Sequence, residues 1–207
     1  MGLYERRICP HVTELALRGG WAHKLRRQLL APVAGRVLEI GFGTGLNLQH
    51  YTDAVTELAI LDPGEGMHRL ARERIAASPL AIEAHRLGAE SLPFPDARFD
   101  AVVCTFTLCT VADPSAVARE LHRVLVPSGS LHLVEHVGSS SPRLRRWQDR
   151  LNPVQKLVAC GCNLNREVEP LLEAAGFGSL ALERLSEPRM PPLLRELVRG
   201  TAHKGAA

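Results

Sequence analysis

The sequence predicts an α/β protein built on a parallel sheet with helices on both faces. Three observations carry that expectation. An apolar strand runs into a glycine turn over residues 37–47, apolar strands alternate with helical segments from Arg36 to about Val137, and size and composition suit one domain. The 207 residues are 45% hydrophobic and 23% charged, enough apolar material for a full core. Parallel strands need crossover connections, which the intervening helices supply.

The first strand, Val37-Leu38-Glu39-Ile40, leads into Gly41-Phe42-Gly43-Thr44-Gly45-Leu46-Asn47. A helix is expected directly after this turn, so that backbone N–H groups and a helix N-terminus face a ligand. A dinucleotide turn has the spacing G-x-G-x-x-G. Here the third glycine comes one residue early, and Leu46 stands where that pattern needs glycine. Glu39 would lie close to a bound pyrophosphate and repel it, whereas a cationic ligand would find the carboxylate favourable. S-adenosylmethionine carries a sulfonium and an ammonium, and the E-x-G-x-G-x-G pattern resembles that of class I S-adenosylmethionine-dependent methyltransferases. A nicotinamide-dependent oxidoreductase is the competing class, and a protein that keeps the cofactor site only as a sensor or scaffold is a third reading.

The second strand, Thr56 to Leu61, closes on Asp62-Pro63-Gly64, with Asp62 lying 21 residues beyond Gly41. A carboxylate there can accept both ribose hydroxyls of either cofactor; its alternative role is to cap the next helix. A third strand, Ala81 to Leu87, precedes Gly88-Ala89-Glu90. A fourth, Phe99 to Thr105, is followed by Phe106 to Val111. Asp113-Pro114 then signals a helix start, with Ala116, Val117, Leu121, Val124 and Leu125 along one side. Pro127 to Ser130 should turn into a fifth strand, Leu131 to Val134, ending at Glu135-His136-Val137. Beyond it are expected a helix from Pro142 to about Ala159, a turn at Gly161, a helix from Glu167 to Ala175, and strands at 180–185 and 197–201. Ahead of the sheet, Val12 to Leu30 reads as helical, interrupted at Gly19-Gly20.

The run Phe99-Asp100-Ala101-Val102-Val103, then a helix, then Arg123-Val124-Leu125 with Pro127 and Gly129, is similar to the quinone-biosynthesis methyltransferases. Further segments resemble the methyltransferase-like alkyl thiol S-methyltransferases: Val102 to Thr105, Leu108 to Val111, Glu135-His136-Val137, Trp147-Gln148, Leu151-Asn152-Pro153 and Gly161 to Glu167. This resemblance implies a Rossmann-like, seven-stranded, mostly parallel sheet with a reversed last strand. It also implies a single methyltransferase domain over 1–207: a helical cover at 1–30, a cofactor core at 31–137, and acceptor-side helices and last strands at 138–207. S-adenosylmethionine would be held by Glu39, Gly41, Phe42, Gly43, Thr44, Gly45, Asn47, Asp62, Pro63, Met67, Ala89, Glu90, Cys104, Thr105 and Cys109, with S-adenosylhomocysteine as product. Ala89 and Glu90 would contact the adenine. His136, just past the fifth strand, is the catalytic candidate, able to accept a proton or orient the acceptor at neutral pH; a structural histidine is the alternative. Tyr4, His11, Leu108, Asn165 and Arg166 are expected around a small-molecule acceptor, best read as a thiol, with a quinone precursor or a phospholipid amine as the alternative. Asn165 could equally cap a helix. Glu135, alternating with His136 along the strand, should point the other way and bond backbone or the 163–166 tract.

The formal net charge is +3, too small and scattered to argue for nucleic acid. No run approaches the ~20 apolar residues of a spanning helix, and the N-terminus lacks a signal-peptide pattern. A cytoplasmic protein without an integral membrane segment is expected. The five cysteines, odd in number and without a disulfide-framework spacing, suit a reducing compartment. Cys160-Gly161-Cys162 has one intervening residue rather than two and no partner pair, so no metal is expected. Oligomeric state is not readable.

Overall fold

A computed structural model describes residue 4 and residues 7–205, without the side chains of 66–68. Helices α1 (Cys9–Leu17) and α2 (Gly20–Leu30) precede the sheet, split at Gly19 as the sequence suggests. Seven strands follow: β1 (Gly35–Ile40), β2 (Val55–Leu61), β3 (Ile82–His85), β4 (Phe99–Thr105), β5 (Leu125–His136), β6 (Phe177–Ser186) and β7 (Glu196–Lys204). Their spatial order is β3-β2-β1-β4-β5-β7-β6. β1 pairs in parallel with β2 and β4, β2 with β3 and β4 with β5, whereas β7 runs antiparallel to both β5 and β6. The reversed last strand implied by the resemblance is therefore present. The order reverses between β1 and β4, and a crevice at the carboxyl ends of such strands is where open α/β sheets bind ligands.

Each face of the sheet has its own core. Leu38, Ile40, Val102, Cys104, Leu131 and Leu133 pack against α4 (Pro114–Val124) and α6 (Glu169–Ala174). Val37, Leu58, Ile60, Ala101 and Val103 face Leu30 of α2 and Ala71 of α3 (Glu65–Ala77). Strand alternation thus places Glu39 on the same side as Val37, under α2. α4 begins as its sequence signals: Asp113 Oδ1 accepts from the Ala116 N–H at 2.9 Å and Pro114 fills the first turn. Its buried Val117, Ala118, Leu121 and Val124 lie at helical spacing, and burying each of the larger three contributes about 2 kcal/mol.

Three expectations change. The glycine turn does not feed a full helix: only a single 3-10 turn, Leu48–His50, separates it from Tyr51 and β2. Any ligand at this turn meets loop N–H groups rather than a helix dipole. The expected turn at Pro127–Ser130 is absorbed into a longer β5 as a bulge, since Phe99 pairs with Leu125 but Ala101 already pairs with Ser130. Left-handed Ser128 (φ 63°) accommodates it. β6 and β7 extend beyond the expected ranges because they pair with each other along almost their whole length. α5 (Pro142–Val158) matches its expected helix.

Candidate functional site

The glycine turn is built from backbone that side chains resist. Gly41, Gly43 and Gly45 have φ of 62°, 59° and 81°. A Cβ at Gly41 would run into the side chain of Thr107, whereas one at Gly43 would meet only open space and the Gly41 carbonyl at 3.8 Å. Asp62, at the end of β2, accepts from the Gly43 N–H at 2.8 Å and the Gly64 N–H at 2.7 Å. It therefore ties the glycine turn to Gly64, where α3 begins, although α3 has no side-chain cap. Above the turn, Arg74 of α3 donates to the Thr44 carbonyl at 2.6 Å and pairs with Glu14 of α1 at 2.7 Å, and the Thr44 hydroxyl also donates to Glu14.

Glu39 is 1% exposed, and its carboxylate accepts from Asn47 Nδ2 at 2.9 Å and the Tyr51 hydroxyl at 2.6 Å. Burial pushes its pKa up to about 7, against the opposing pull of Tyr51, Asn47 and Arg26. Asn47 Nδ2 also donates to Thr105 Oγ1 at 3.1 Å. Two buried polar atoms here have no partner among the described residues: Asn47 Oδ1, an acceptor, and Arg26 Nε, a donor. Arg26 donates from Nη1 to the Leu17 carbonyl at 2.8 Å and lies 5.9 Å from the Phe106 ring centre. A buried carboxylate, an orphan acceptor and an orphan guanidinium N–H fit an amino-acid zwitterion carrying an extra positive charge. The methionine end of S-adenosylmethionine has that character.

The adjoining segment turns sharply at left-handed Phe106 (φ 56°). Fully buried Glu135 of β5 then clamps the loop, accepting from the N–H groups of Thr107 (2.7 Å), Leu108 (2.9 Å) and Cys109 (3.1 Å) and from the Cys104 thiol (3.2 Å). Glu135 thus bonds backbone, one of the two partners expected for it. Burial and the Glu135 charge hold Cys104 as a neutral thiol, well above the ordinary thiol range. On the opposite side of β5, His136 Nδ1 lies 3.7 Å from Cys162 Sγ and 4.0 Å from Cys109 Sγ, and the two sulfurs are 3.6 Å apart. All three side chains are buried, and His136 Nε2 has no partner among the described residues. Of the two thiols, Cys162 is drawn toward the thiolate by its hydrogen bond with Cys109 and by neighbouring His136 and Arg166, while Cys109 is pushed up.

Of the residues singled out by sequence, Glu39, Asn47, Thr105 and the turn 41–45 come together around one end of the sheet, joined by Asp62, and Phe42 is buried beneath the turn. Ala89 is buried and Glu90 half-buried, with Glu90 curled over Gly88; Pro63 is exposed, and the Met67 side chain lies outside the described residues. Cys109 and His136 are brought together with Cys162, whereas Leu108 is buried in the core with its N–H held by Glu135. Three other residues lead elsewhere, and Arg166 flanks the sulfur cluster. The Tyr4 hydroxyl donates to the Val158 carbonyl at the end of α5, His11 is exposed on α1, Asn165 Nδ2 donates to Asp149 at 2.8 Å, and Arg166 donates to the Val111 carbonyl at 2.9 Å. α6 begins after Val168 without a side-chain cap, so Asn165 does not cap it. The α1 residue that reaches the glycine turn is Glu14, not His11. Glu14, Arg26 and Tyr51 carry no motif signal, because each reaches the site through tertiary packing, whereas Thr107 and Asn163 lie in segments that the sequence marks without a site role of their own.

The cysteine reading needs correction. Cys9, at the start of α1, is disulfide-bonded to Cys160, just past α5, with 5.8 Å between their Cα atoms. The odd count arises from one bridge plus free, buried Cys104, Cys109 and Cys162. Disulfides persist in oxidising surroundings, so cysteine usage no longer supports a reducing compartment. The Cys160-Gly161-Cys162 segment is split, one sulfur entering the bridge and the other joining Cys109 and His136. No helix of the described residues is long and apolar enough to cross a membrane.

A methyltransferase-domain family matches residues 38–133, the stretch from β1 to β5. The human thiol S-methyltransferase TMT1A is 34% identical over 172 residues, covering 81% of this chain and 70% of that protein. A demethylmenaquinone methyltransferase of Deinococcus radiodurans is 36% identical over 131 residues, covering 62% of this chain and 54% of that one. Among solved structures, an S-adenosylmethionine-dependent methyltransferase of Thermotoga maritima shares the fold, with a TM-score of 0.68 at 23% identity over 97% of each chain. The chain belongs to the S-adenosylmethionine-dependent methyltransferases, enzymes that use S-adenosylmethionine as methyl donor.

Proposed function

We propose that this enzyme methylates the sulfur of a small thiol. The observation that carries the reading is the buried group of His136, Cys109 and Cys162 at the end of β5, beside Phe106 and one strand from the Glu39 pocket. The likeness to a thiol S-methyltransferase supports it. A quinone-precursor acceptor, favoured by the likeness to a demethylmenaquinone methyltransferase, is the second reading.

When bound, S-adenosylmethionine supplies an electrophilic methyl group on a sulfonium, open to in-line displacement. Glu39 and Asn47 Oδ1 would receive its ammonium, and Arg26 its carboxylate. Asp62, held at the end of β2 by the Gly43 and Gly64 N–H groups, would take the ribose hydroxyls. Ala89 and Glu90 would line the adenine. Gly41, Phe42, Gly43, Thr44 and Gly45 would shape the turn, with Pro63, Met67, Cys104 and Thr105 flanking it. Glu14 and α1 close the turn from above and exclude water.

Positioning supplies much of the acceleration for such a displacement, with nucleophile and methyl carbon about 3 to 3.5 Å apart. A free thiol with pKa ~8.5 presents only a few per cent thiolate at neutral pH. The remaining task is to favour the thiolate, and His136 with its sulfur neighbours is placed for it. Incubation with methyl-labelled S-adenosylmethionine and separate small thiols, quinols and amines tests the proposal. Labelled thioether formed in step with S-adenosylhomocysteine is expected; label confined to quinols would overturn the thiol assignment.

A further inference from the structure

We infer that Cys109, His136 and Cys162 form a site for one thiophilic divalent cation of the zinc class, with a fourth position for the acceptor sulfur. The fourth-ligand part rests on the thiol reading above; the site itself does not.

The three donor atoms already form a nearly closed triangular face. Their separations are 3.6 Å between the sulfurs, 3.7 Å from Cys162 Sγ to His136 Nδ1 and 4.0 Å from Cys109 Sγ to the same nitrogen. A tetrahedral ion with metal–sulfur bonds of ~2.3 Å and a metal–nitrogen bond of ~2.0 Å needs edges of about 3.8 Å between sulfurs and about 3.5 Å from sulfur to nitrogen. Two edges lie within about 0.2 Å of that, and the Cys109–His136 edge is about 0.5 Å longer. Two cysteines and one histidine are a donor set that leaves one coordination position open, and sulfur ligands select soft cations over magnesium or calcium. Two thiolates neutralise a dication, so the loaded site carries no net charge into its buried surroundings.

The donors are held from outside. Glu135 fixes the Cys109 N–H, and the Cys109 carbonyl accepts from both the backbone N–H and the side-chain Nδ2 of Asn163, each at 2.8 Å. Asn163 is held in turn by Asn152, which also accepts from the Leu164 N–H. Such outer contacts orient metal ligands. With Nδ1 on the ion, the proton of His136 sits on Nε2, which has no acceptor among the described residues and is open to a polar group of the acceptor.

In the reaction, the acceptor thiol would bind as its thiolate and release its proton to solvent. A sulfur lone pair then forms the new S–CH3 bond as the donor's sulfonium–CH3 bond breaks. The products are a neutral thioether, a weaker ligand that departs, and S-adenosylhomocysteine; no electron is gained or lost.

Anaerobic titration of the metal-free protein with cobalt(II), followed by zinc competition, tests the site. One cobalt per chain is expected, with the intense visible bands of a tetrahedral ion and near-ultraviolet sulfur-to-cobalt charge transfer. Affinity should fall at least about tenfold in Cys162→Ser and in Cys109→Ser, and persist in Cys104→Ser, whose sulfur lies outside the cluster. Circular dichroism and thermal melts establish that each variant is folded. Wild-type protein without these bands, or folded Cys162→Ser that retains them, overturns the site. A small thiol should shift the visible bands, and no shift overturns the fourth-ligand role while leaving the site standing. Thioether production by protein that takes up no cobalt overturns the site and spares the thiol assignment; cobalt uptake without any thioether does the reverse.

Discussion

Glu39 shows how one residue sets the character of a pocket. Its pKa near 7 in the folded chain compares with about 4.5 when unfolded, so between these values the folded state retains a proton that the unfolded state has lost. Stability therefore falls as pH rises from about 4.5 to 7, and the cost of the buried charge is fully present above pH 7. Glu39→Gln should stabilise the donor-free protein near pH 8, by about 3 kcal/mol at most, and leave it little changed near pH 4; thermal melts at both values check the sign. Gly41 is constrained by a left-handed φ and by Thr107. Gly41→Ala should cost about 1–3 kcal/mol and abolish measurable donor binding, read by melting temperature and calorimetry. His136→Ala should lower kcat by about a hundredfold or more while leaving donor affinity unchanged; an unaltered kcat would remove His136 from the chemistry.

At the scale of elements, α1 acts as a strap held at three places: Cys9 by the disulfide to Cys160, Thr13 by a contact with the Cys160 sulfur at 3.6 Å, and Glu14 by Arg74 and Thr44. A bridge spanning 151 residues constrains the unfolded chain strongly, by several kcal/mol on a chain-entropy account. Thiol titration of unreduced, denatured protein should find three thiols. Reduction should expose five, lower the melting temperature and speed amide exchange in α1; five thiols before reduction would contradict the bridge. This element-level link was invisible in sequence because its two cysteines share no local spacing. By contrast, β1, β2, β4 and α4 were legible, since continuous apolar runs and an Asp-Pro cap are local signals. The first crossover differs from expectation because a glycine turn normally introduces a helix, whereas here Tyr51, just past a single 3-10 turn, donates to Glu39 across the site.

Across the whole molecule, two clusters meet at the carboxyl ends of the central strands. Glu39 comes from β1, Asp62 from the end of β2, and His136 from β5, while α1, α2 and the 160–165 tract cover them. The residues expected around the donor carry local signals because Glu39 and Asp62 stand at the carboxyl ends of apolar strands, each ahead of a turn. His136, Cys109 and Cys162 each lie in a segment that the sequence marks, but their union depends on a chain reversal 53 residues after Cys109 that no periodicity announces. The central claim is that a buried carboxylate ahead of the glycine turn receives a cationic donor, and it implies that binding favours ionised Glu39. Calorimetric titration of S-adenosylmethionine at about pH 6, in buffers of different ionisation enthalpy, measures this most directly. The account predicts proton release on binding, tighter binding toward neutral pH, and loss of both effects with at least about tenfold weaker affinity in Glu39→Gln. Unchanged affinity and unchanged proton release in Glu39→Gln would contradict it.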